Sequence, residues 1–288
     1  MLTRVSTYKN MSKRKEKRPL KWGRVVPFVV FLTGFVLVLF AAINLWMVRQ
    51  NDAFARSEYD ELRNSFERSI ASRFEHTIVE DEPEYTDGHQ ALYEPPEKPD
   101  LPLAPAESEH VSDDTRIDMS FFSEINPDFV GWISIEGTSV HYPIVQGLDN
   151  NRYLGITFSG ERNPAGTIFM DYRIIEGFDA PITILYGHNM RDGSMFASLL
   201  NYLEPEFMSS YPEITIVTAD GTFLVYEVFR ARRVTAWDSV YTLDFNDEAA
   251  VAFFETAPTD TSRVLLLSTC TGDGDRNARV LIYASLLA

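Results

Sequence analysis

The sequence predicts a mainly β domain, a closed β-barrel with short helices, preceded by an N-terminal transmembrane helix and a helical, then disordered, spacer. Three observations carry that expectation. Short apolar runs separated by tight turns recur from about residue 129 to the C-terminus, a pattern of packed strands with few helices. One uncharged apolar stretch of membrane length lies near the N-terminus. Between the two comes an acidic, proline-bearing segment with few large apolar residues, a composition that cannot build a core.

The elements follow in order. Residues 1–24 form a basic tail with nine Lys/Arg against one acid, Glu16. Residues 25–48 are uncharged and mostly apolar. As a helix rising about 1.5 Å per residue they reach about 36 Å, enough to cross a hydrocarbon core of about 30 Å. Trp22 and Trp46 flank the stretch, as interfacial anchors do. It is too long for the apolar region of a signal peptide, and no small-x-small site closes it, so it reads as an uncleaved anchor. The basic excess before it places the N-terminus in the cytoplasm and the remainder outside the cell. The whole chain carries −16, and beyond residue 24 seventeen basic residues face forty-one acidic ones, about −24. So acidic a domain repels nucleic acid.

Residues 49–76 read as an amphipathic helix. Phe54, Tyr59, Leu62, Phe66, Ile70 and Phe74 recur at three-to-five-residue steps and make one apolar stripe. The stripe suits either a stalk or a helix docked on the domain. Residues 77–116 form an acidic spacer with six prolines. His76, at the end of the preceding segment, and His89 and His110 in the spacer have no metal-ligand spacing and read as solvated. The barrel domain is assigned to 117–288, and a fragment spanning 112–288 is expected to fold.

Within it, 130–135 and 139–145 read as a hairpin, 166–170 and 182–186 as short strands, and 214–219 with 222–229 as a second hairpin. Asp220-Gly221 between the last two suits a type I′ turn. Short helices are expected around 194–203 and 247–256, the second capped by Asn246. Two further strands flank the segment after Cys270.

Cys270 is the only cysteine. A lone thiol is either a buried structural group or a nucleophile, and a thiol beside cations favours the second. Acyl chemistry on a thiol needs a proton shuttle and a donor for the developing oxyanion. His141 lies inside a strand and reads as structural. His188 follows a strand and a glycine at a loop mouth. Arg279 stands at the head of the last strand, antiparallel to the strand ending at Cys270, and its guanidinium can donate several hydrogen bonds to a carbonyl oxygen. Arg276 reads as a solvated loop residue.

The run Leu266-Leu-Ser-Thr-Cys270, with an arginine heading the next strand, resembles the sortase signature Thr-Leu-x-Thr-Cys followed by Arg. Two upstream blocks, Asn163-Pro-Ala-Gly-Thr-Ile-Phe-Met-Asp-Tyr-Arg173 and Ile184-Leu-Tyr-Gly-His-Asn-Met-Arg-Asp-Gly-Ser-Met-Phe196, are similar to the class B form of that family. The resemblance runs from about Phe129 to the C-terminus, and it departs at Leu266, where the wider family often has Thr.

The resemblance implies a sortase-type barrel and a membrane-tethered transpeptidase on the outer face of a Gram-positive cell. It implies Cys270 as the nucleophile toward a threonine carbonyl in a C-terminal sorting signal. His188 is then the acid and base, and Arg279 the carbonyl and oxyanion donor. The implied partners are surface proteins bearing an Asn-Pro-x-Thr-like signal and an amine acceptor, from a peptidoglycan cross-bridge or a pilin lysine. No metal or organic cofactor is implied, since no ligand cluster or phosphate loop is present. Two other readings stand beside this one: a secreted cysteine protease or hydrolase, and a catalytically silent membrane-tethered binding protein.

Overall fold

The apolar runs pair edge to edge until no free edge is left. In chain order they are β1 (Phe129–Ser134), β2 (His141–Val145), β3 (Ile168–Met170), β4 (Ile182–Tyr186), β5 (Glu213–Thr218), β6 (Phe223–Thr235), β7 (Val264–Cys270) and β8 (Ala278–Leu286). Around the closed barrel they run β1-β2-β3-β4-β7-β8-β6-β5. Closure gives every strand two neighbours, which is how an antiparallel-rich sheet avoids exposed ladder groups. The computed structural model describes residues 22–79, 116–242 and 263–287. Most of the basic tail, most of the proline-rich spacer with His89 and His110, and the helix expected at 247–256 with its Asn246 cap lie outside the described residues, as does the side chain of His76.

The strands pair antiparallel except at two places, β2 with β3 and β4 with β7. The β4–β7 pair matters most for function. Parallel strands deliver their C-terminal ends to the same rim, so the segments after Tyr186 and after Thr269 emerge side by side. β7 is buried along its length until its last residue, Cys270. Its continuous Val-Leu-Leu-Leu run suits a strand covered on both faces.

Both expected hairpins form, β1 with β2 and β5 with β6. The second turn differs from the type I′ expectation. Gly221 has φ +83, but Asp220 is not in the positive-φ region that type I′ requires at both central residues. Gly221 N–H donates to Thr218 O (2.9 Å) and Thr218 N–H to Thr222 O (2.9 Å), the pattern of a three-residue loop ending in a glycine bulge. Gly221 also lies against the Ile117 backbone, where a Cβ would fall 2.1 Å from its carbonyl oxygen. The helix expected at 194–203 is a 3-10 segment, Ala197–Leu203, followed by α3 (Pro205–Ser210). Glu204 before the proline is extended (φ −92, ψ 119), as residues preceding proline are, so the chain breaks there and restarts with Pro205 at N1. A short helix, α2 (Ser120–Ile125), leads into the barrel.

α1 runs from Trp22 to Val79, and the chain divides into two units at residue 50. In the first, Phe28, Phe31, Phe35 and Phe40 are exposed. Among the described residues this is the one helix long and apolar enough to cross a membrane. In the second, Ala55, Tyr59, Leu62 and Phe66 are buried in the main core. They follow the 3.6-residue period of a helix face, so this part of the helix docks on the barrel. Phe54, placed in that stripe from sequence spacing, is exposed instead and Ala55 takes its position. Phe66 stacks on Trp132 with centroids 4.5 Å apart and planes at 7°.

Candidate active site

Strand register brings three side chains to one rim. Cys270 ends β7, and its cross-strand partner on β8 is Arg279. Directly opposed residues on antiparallel strands share a face, with Cβ atoms about 5 Å apart. The arginine therefore stands beside the thiol by register, not by chance of a loop. On the other side of β7, Tyr186 of β4 pairs with Ser268. Gly187 N–H extends that ladder by one bond to Ser268 O (3.2 Å), so His188 leaves the sheet level with the last residues of β7. A cavity of about 370 Å³ opens there, lined by Cys270, His188 and Arg279 together with Leu154, Tyr186 and Tyr241.

Each of the three is held differently. Cys270 is exposed and free of any disulfide, and its carbonyl accepts a bond from Asn189 Nδ2 (3.0 Å). This ties the residue after His188 to the backbone of Cys270. His188 Nε2 is 2.8 Å from the Leu154 carbonyl. A carbonyl only accepts, so Nε2 carries the proton and Nδ1 is the nitrogen free to exchange one. Arg279 donates from Nη1 to Arg276 O (2.8 Å) and Ala278 O (3.1 Å), which fixes the direction of the guanidinium while most of its donors stay unused by these carbonyls. The Arg276 side chain is exposed and does not line the cavity.

The wall beneath this rim is a polar network that sequence reasoning did not single out. Asp171, fully buried, takes two bonds from Arg173, Nε to Oδ1 (2.8 Å) and Nη2 to Oδ2 (2.7 Å), and others from Asn150 and the Tyr186 hydroxyl. Burial alone pushes its carboxyl up, and the bonds from Arg173 and Asn150 outweigh this and hold it below the usual range. Burial first, and then the Asp171 charge, drives Tyr186 well above the ordinary phenol value. It stays a hydroxyl donor. Arg173 also donates to the carbonyls of Tyr241 (2.9 Å) and Thr242 (3.1 Å), and Tyr241 OH pairs with Ser268 Oγ (2.8 Å). Asp171-Tyr-Arg173 lay inside a block read from the sequence, but its internal ion pair has no sequence signature. The loop after Cys270 has its own clamp. Asp273 bonds Thr271 Oγ1 and Arg233, and these two bonds lower its carboxyl to about 2.

His141 lies elsewhere. Its Nδ1 meets Ser134 Oγ (2.7 Å) and its ring packs edge-on against Phe66 and Trp132. Among the described residues no cluster of His, Cys, Asp or Glu has the form of a metal site. Leu266, where the resemblance departs, is a fully buried core residue.

Comparison with known proteins places the chain in a family. A family model described as "Sortase domain" matches residues 133–287. The Sortase B of Listeria monocytogenes is 33% identical over 196 residues, covering 63% of this chain and 79% of that protein. The Sortase B of Staphylococcus aureus is 32% identical over 226 residues, covering 73% and 88%. Among solved structures, a Staphylococcus aureus sortase B–substrate complex superposes with a TM-score of 0.60 at 25% identity, over 83% of this chain and 98% of that one. Family match, barrel and relatives agree: the chain belongs to the sortase family of cysteine transpeptidases, on its class B side.

Proposed function

We propose that this sortase is a membrane-anchored enzyme that joins surface proteins to an amine acceptor, with Cys270, His188 and Arg279 carrying the reaction. The observation that supports the reading most is the shared cavity, in which a nucleophile, an imidazole and a guanidinium from three strand ends face one space of about 370 Å³.

The thiolate of Cys270 attacks the carbonyl carbon of a threonine in an Asn-Pro-x-Thr-like sorting signal. The carbonyl electron pair moves onto oxygen, and Arg279 donates hydrogen bonds to that oxyanion. On collapse the C–N bond breaks and the leaving amine takes a proton from His188. A thioester to Cys270 remains. An amine, from a peptidoglycan cross-bridge or a pilin lysine, then attacks the same carbon and passes a proton to His188, and the C–S bond breaks. Nε2 stays bonded to Leu154 O throughout, so each proton passes through Nδ1. The protein partner is a surface protein, and neither a cofactor nor nucleic acid takes part.

Full-length protein in detergent, given a peptide with an Asn-Pro-x-Thr core and a short oligoglycine amine, should form the peptide–amine adduct, with slower hydrolysis when the amine is withheld. Hydrolysis at a rate indifferent to the amine would instead mark a protease. Binding with no turnover would mark a silent receptor.

A further inference from the structure

We propose that the first turns of α1 beyond residue 50 are a positioning element for His188, acting through Tyr59 and Arg56. This rests on the reading of His188 as the proton shuttle. His188 has two supports: the Leu154 carbonyl that accepts from Nε2 (2.8 Å), and the backbone of its own loop, closed where Phe196 N–H donates to His188 O (2.9 Å) and Asn189 bridges to Met195. The helix holds both.

On the Leu154 side, the chain makes an excursion after residue 154 and returns at Gly166. There Thr167 N–H bonds back to Tyr153 O (3.0 Å). Gly166 sits at φ +60, and a Cβ on it would lie 2.4 Å from Tyr153 O and 3.1 Å from the Leu154 carbonyl carbon. The Gly166 backbone is therefore pressed against the peptide that carries the acceptor for His188. The Tyr59 hydroxyl, on a side chain 4% exposed, donates to Gly166 O and lies 3.2 Å from Thr167 Oγ1. Two more contacts pin the excursion to the same helix: Asn163 Nδ2 to Asn51 O (2.7 Å) and Ser159 N–H to Glu58 Oε1 (2.9 Å).

On the loop side, Arg56 donates from Nε (3.1 Å) and Nη2 (2.9 Å) to Asp192 Oδ2. Asp192 in turn accepts from Ser194 N–H and Oγ through its other oxygen, which shapes the turn between His188 and Phe196. Tyr142, edge-on to Tyr59 at 5.2 Å, accepts from Met195 N–H (3.0 Å). None of the hydrogen bonds of these helix residues runs to Cys270 or Arg279, and none of them lines the cavity. They bear on the histidine first, through the acceptor of its Nε2–H and the loop that carries it, and reach Cys270 only at second hand, through Asn189 Nδ2 on its carbonyl. A shuttle displaced by a fraction of an ångström loses rate without losing substrate affinity.

The test uses full-length protein in lipid nanodiscs and compares Tyr59→Phe, Arg56→Met and their combination. Arg68→Met is the control, since among the described residues Arg68 bonds within its own helix, to Asn64 O and Ser65 Oγ. The double variant should lose about ten-fold or more in kcat, KM moving less than about two-fold. Arg56→Lys should restore most of the loss seen with Arg56→Met, and the control should match wild type. In 15N-histidine-labelled protein the ring N–H signal assigned to His188, by its absence in His188→Gln, should broaden or vanish in the double variant and persist in the control. A double variant that is folded at the assay temperature and keeps wild-type kcat and that signal overturns the proposal. So does a loss of rate that merely tracks the unfolded fraction. If His188→Ala is inactive while the double variant is fully active, the positioning role alone fails. If His188→Ala turns over normally, the role assigned to the histidine falls and this inference with it.

Discussion

Arg279 owes its place beside the thiol to the strand that carries it. It is opposite Cys270 by strand register, and one of its nitrogens is anchored on two carbonyls. If only positive charge mattered, Arg279→Lys would retain most activity. A lysine lacks the planar fork, however, and cannot bond those carbonyls while presenting further donors to an oxyanion. Arg279→Lys should therefore cost on the order of 10²–10³ in kcat/KM, while Arg276→Lys, changed at an exposed side chain, should stay near wild type. An Arg279→Lys variant within a few-fold of wild type would refute the directed-donor role. Cys270→Ala should abolish turnover and leave the melting curve unchanged, because the thiol is exposed; transpeptidation by that variant would remove Cys270 from the mechanism. The three candidate residues that the cavity brings together could be singled out in the sequence because each ends, follows or opens an apolar run. Asp171, Tyr241 and Leu154 were not, because a buried ion pair, a hydroxyl contact and a backbone acceptor are products of tertiary register and leave no local pattern.

The docked part of α1 is the element that sequence periodicity left open. Its spacing revealed a stripe but not what would cover it; that depended on the hydrophobic face of β1 and β2, where Trp132 and Tyr142 lie. Burying Tyr59, Leu62 and Phe66 contributes on the order of 5 kcal/mol as an upper figure. A fragment spanning 112–288 keeps all eight strands and should fold, yet its melting temperature should fall by about 10 °C or more relative to one that begins at residue 51. Equal melting temperatures would mean that the helix adds nothing to the domain. His141 beneath the helix gives the same contact a pH signature. Burial, with help from Arg63, pushes its imidazole down to about 4 from the usual 6.5. The folded protein thus holds it neutral where the unfolded chain takes up a proton, so its contribution is complete above about pH 6.5 and is lost as pH falls toward 4. Between pH 7 and 4.5 the urea midpoint should drop more steeply in wild type than in His141→Gln. Parallel slopes would show that this imidazole is not buried in solution. The turn at Asp220-Gly221 teaches a related lesson. The dipeptide correctly marked a hairpin, but the number of residues in the loop was set by the β5–β6 register and by Ile117 lying over Gly221.

At the scale of the whole molecule, composition divides the chain more sharply than any motif does. Nine basic residues against one acid precede the apolar stretch, and about −24 follows it. A helix carrying that asymmetry should insert with its N-terminus in the cytoplasm, leaving the barrel outside, where a surface-protein substrate and a cell-wall amine would both be found. The exposed phenylalanines between Phe28 and Phe40 suit a lipid environment. A cleaved leader would present the same apolar run, so the orientation and retention of the chain need a direct test. The protein supplies its own probe, because Cys270 is its sole cysteine and is exposed. Intact protoplasts of a Gram-positive host expressing the full chain should be labelled at Cys270 by a membrane-impermeant cationic methanethiosulfonate, without permeabilisation, and the label should stay with the membrane fraction after washing. External protease should then cut in the acidic segment between residues 80 and 115, so that on a denaturing gel the labelled barrel runs apart from the anchor, although the docked helix holds the two together until it is denatured. Labelling that appears only after permeabilisation would place the barrel in the cytoplasm and reverse the topology. Labelled protein recovered from the medium with its N-terminus beyond residue 48 would show the apolar stretch to be a leader that is removed.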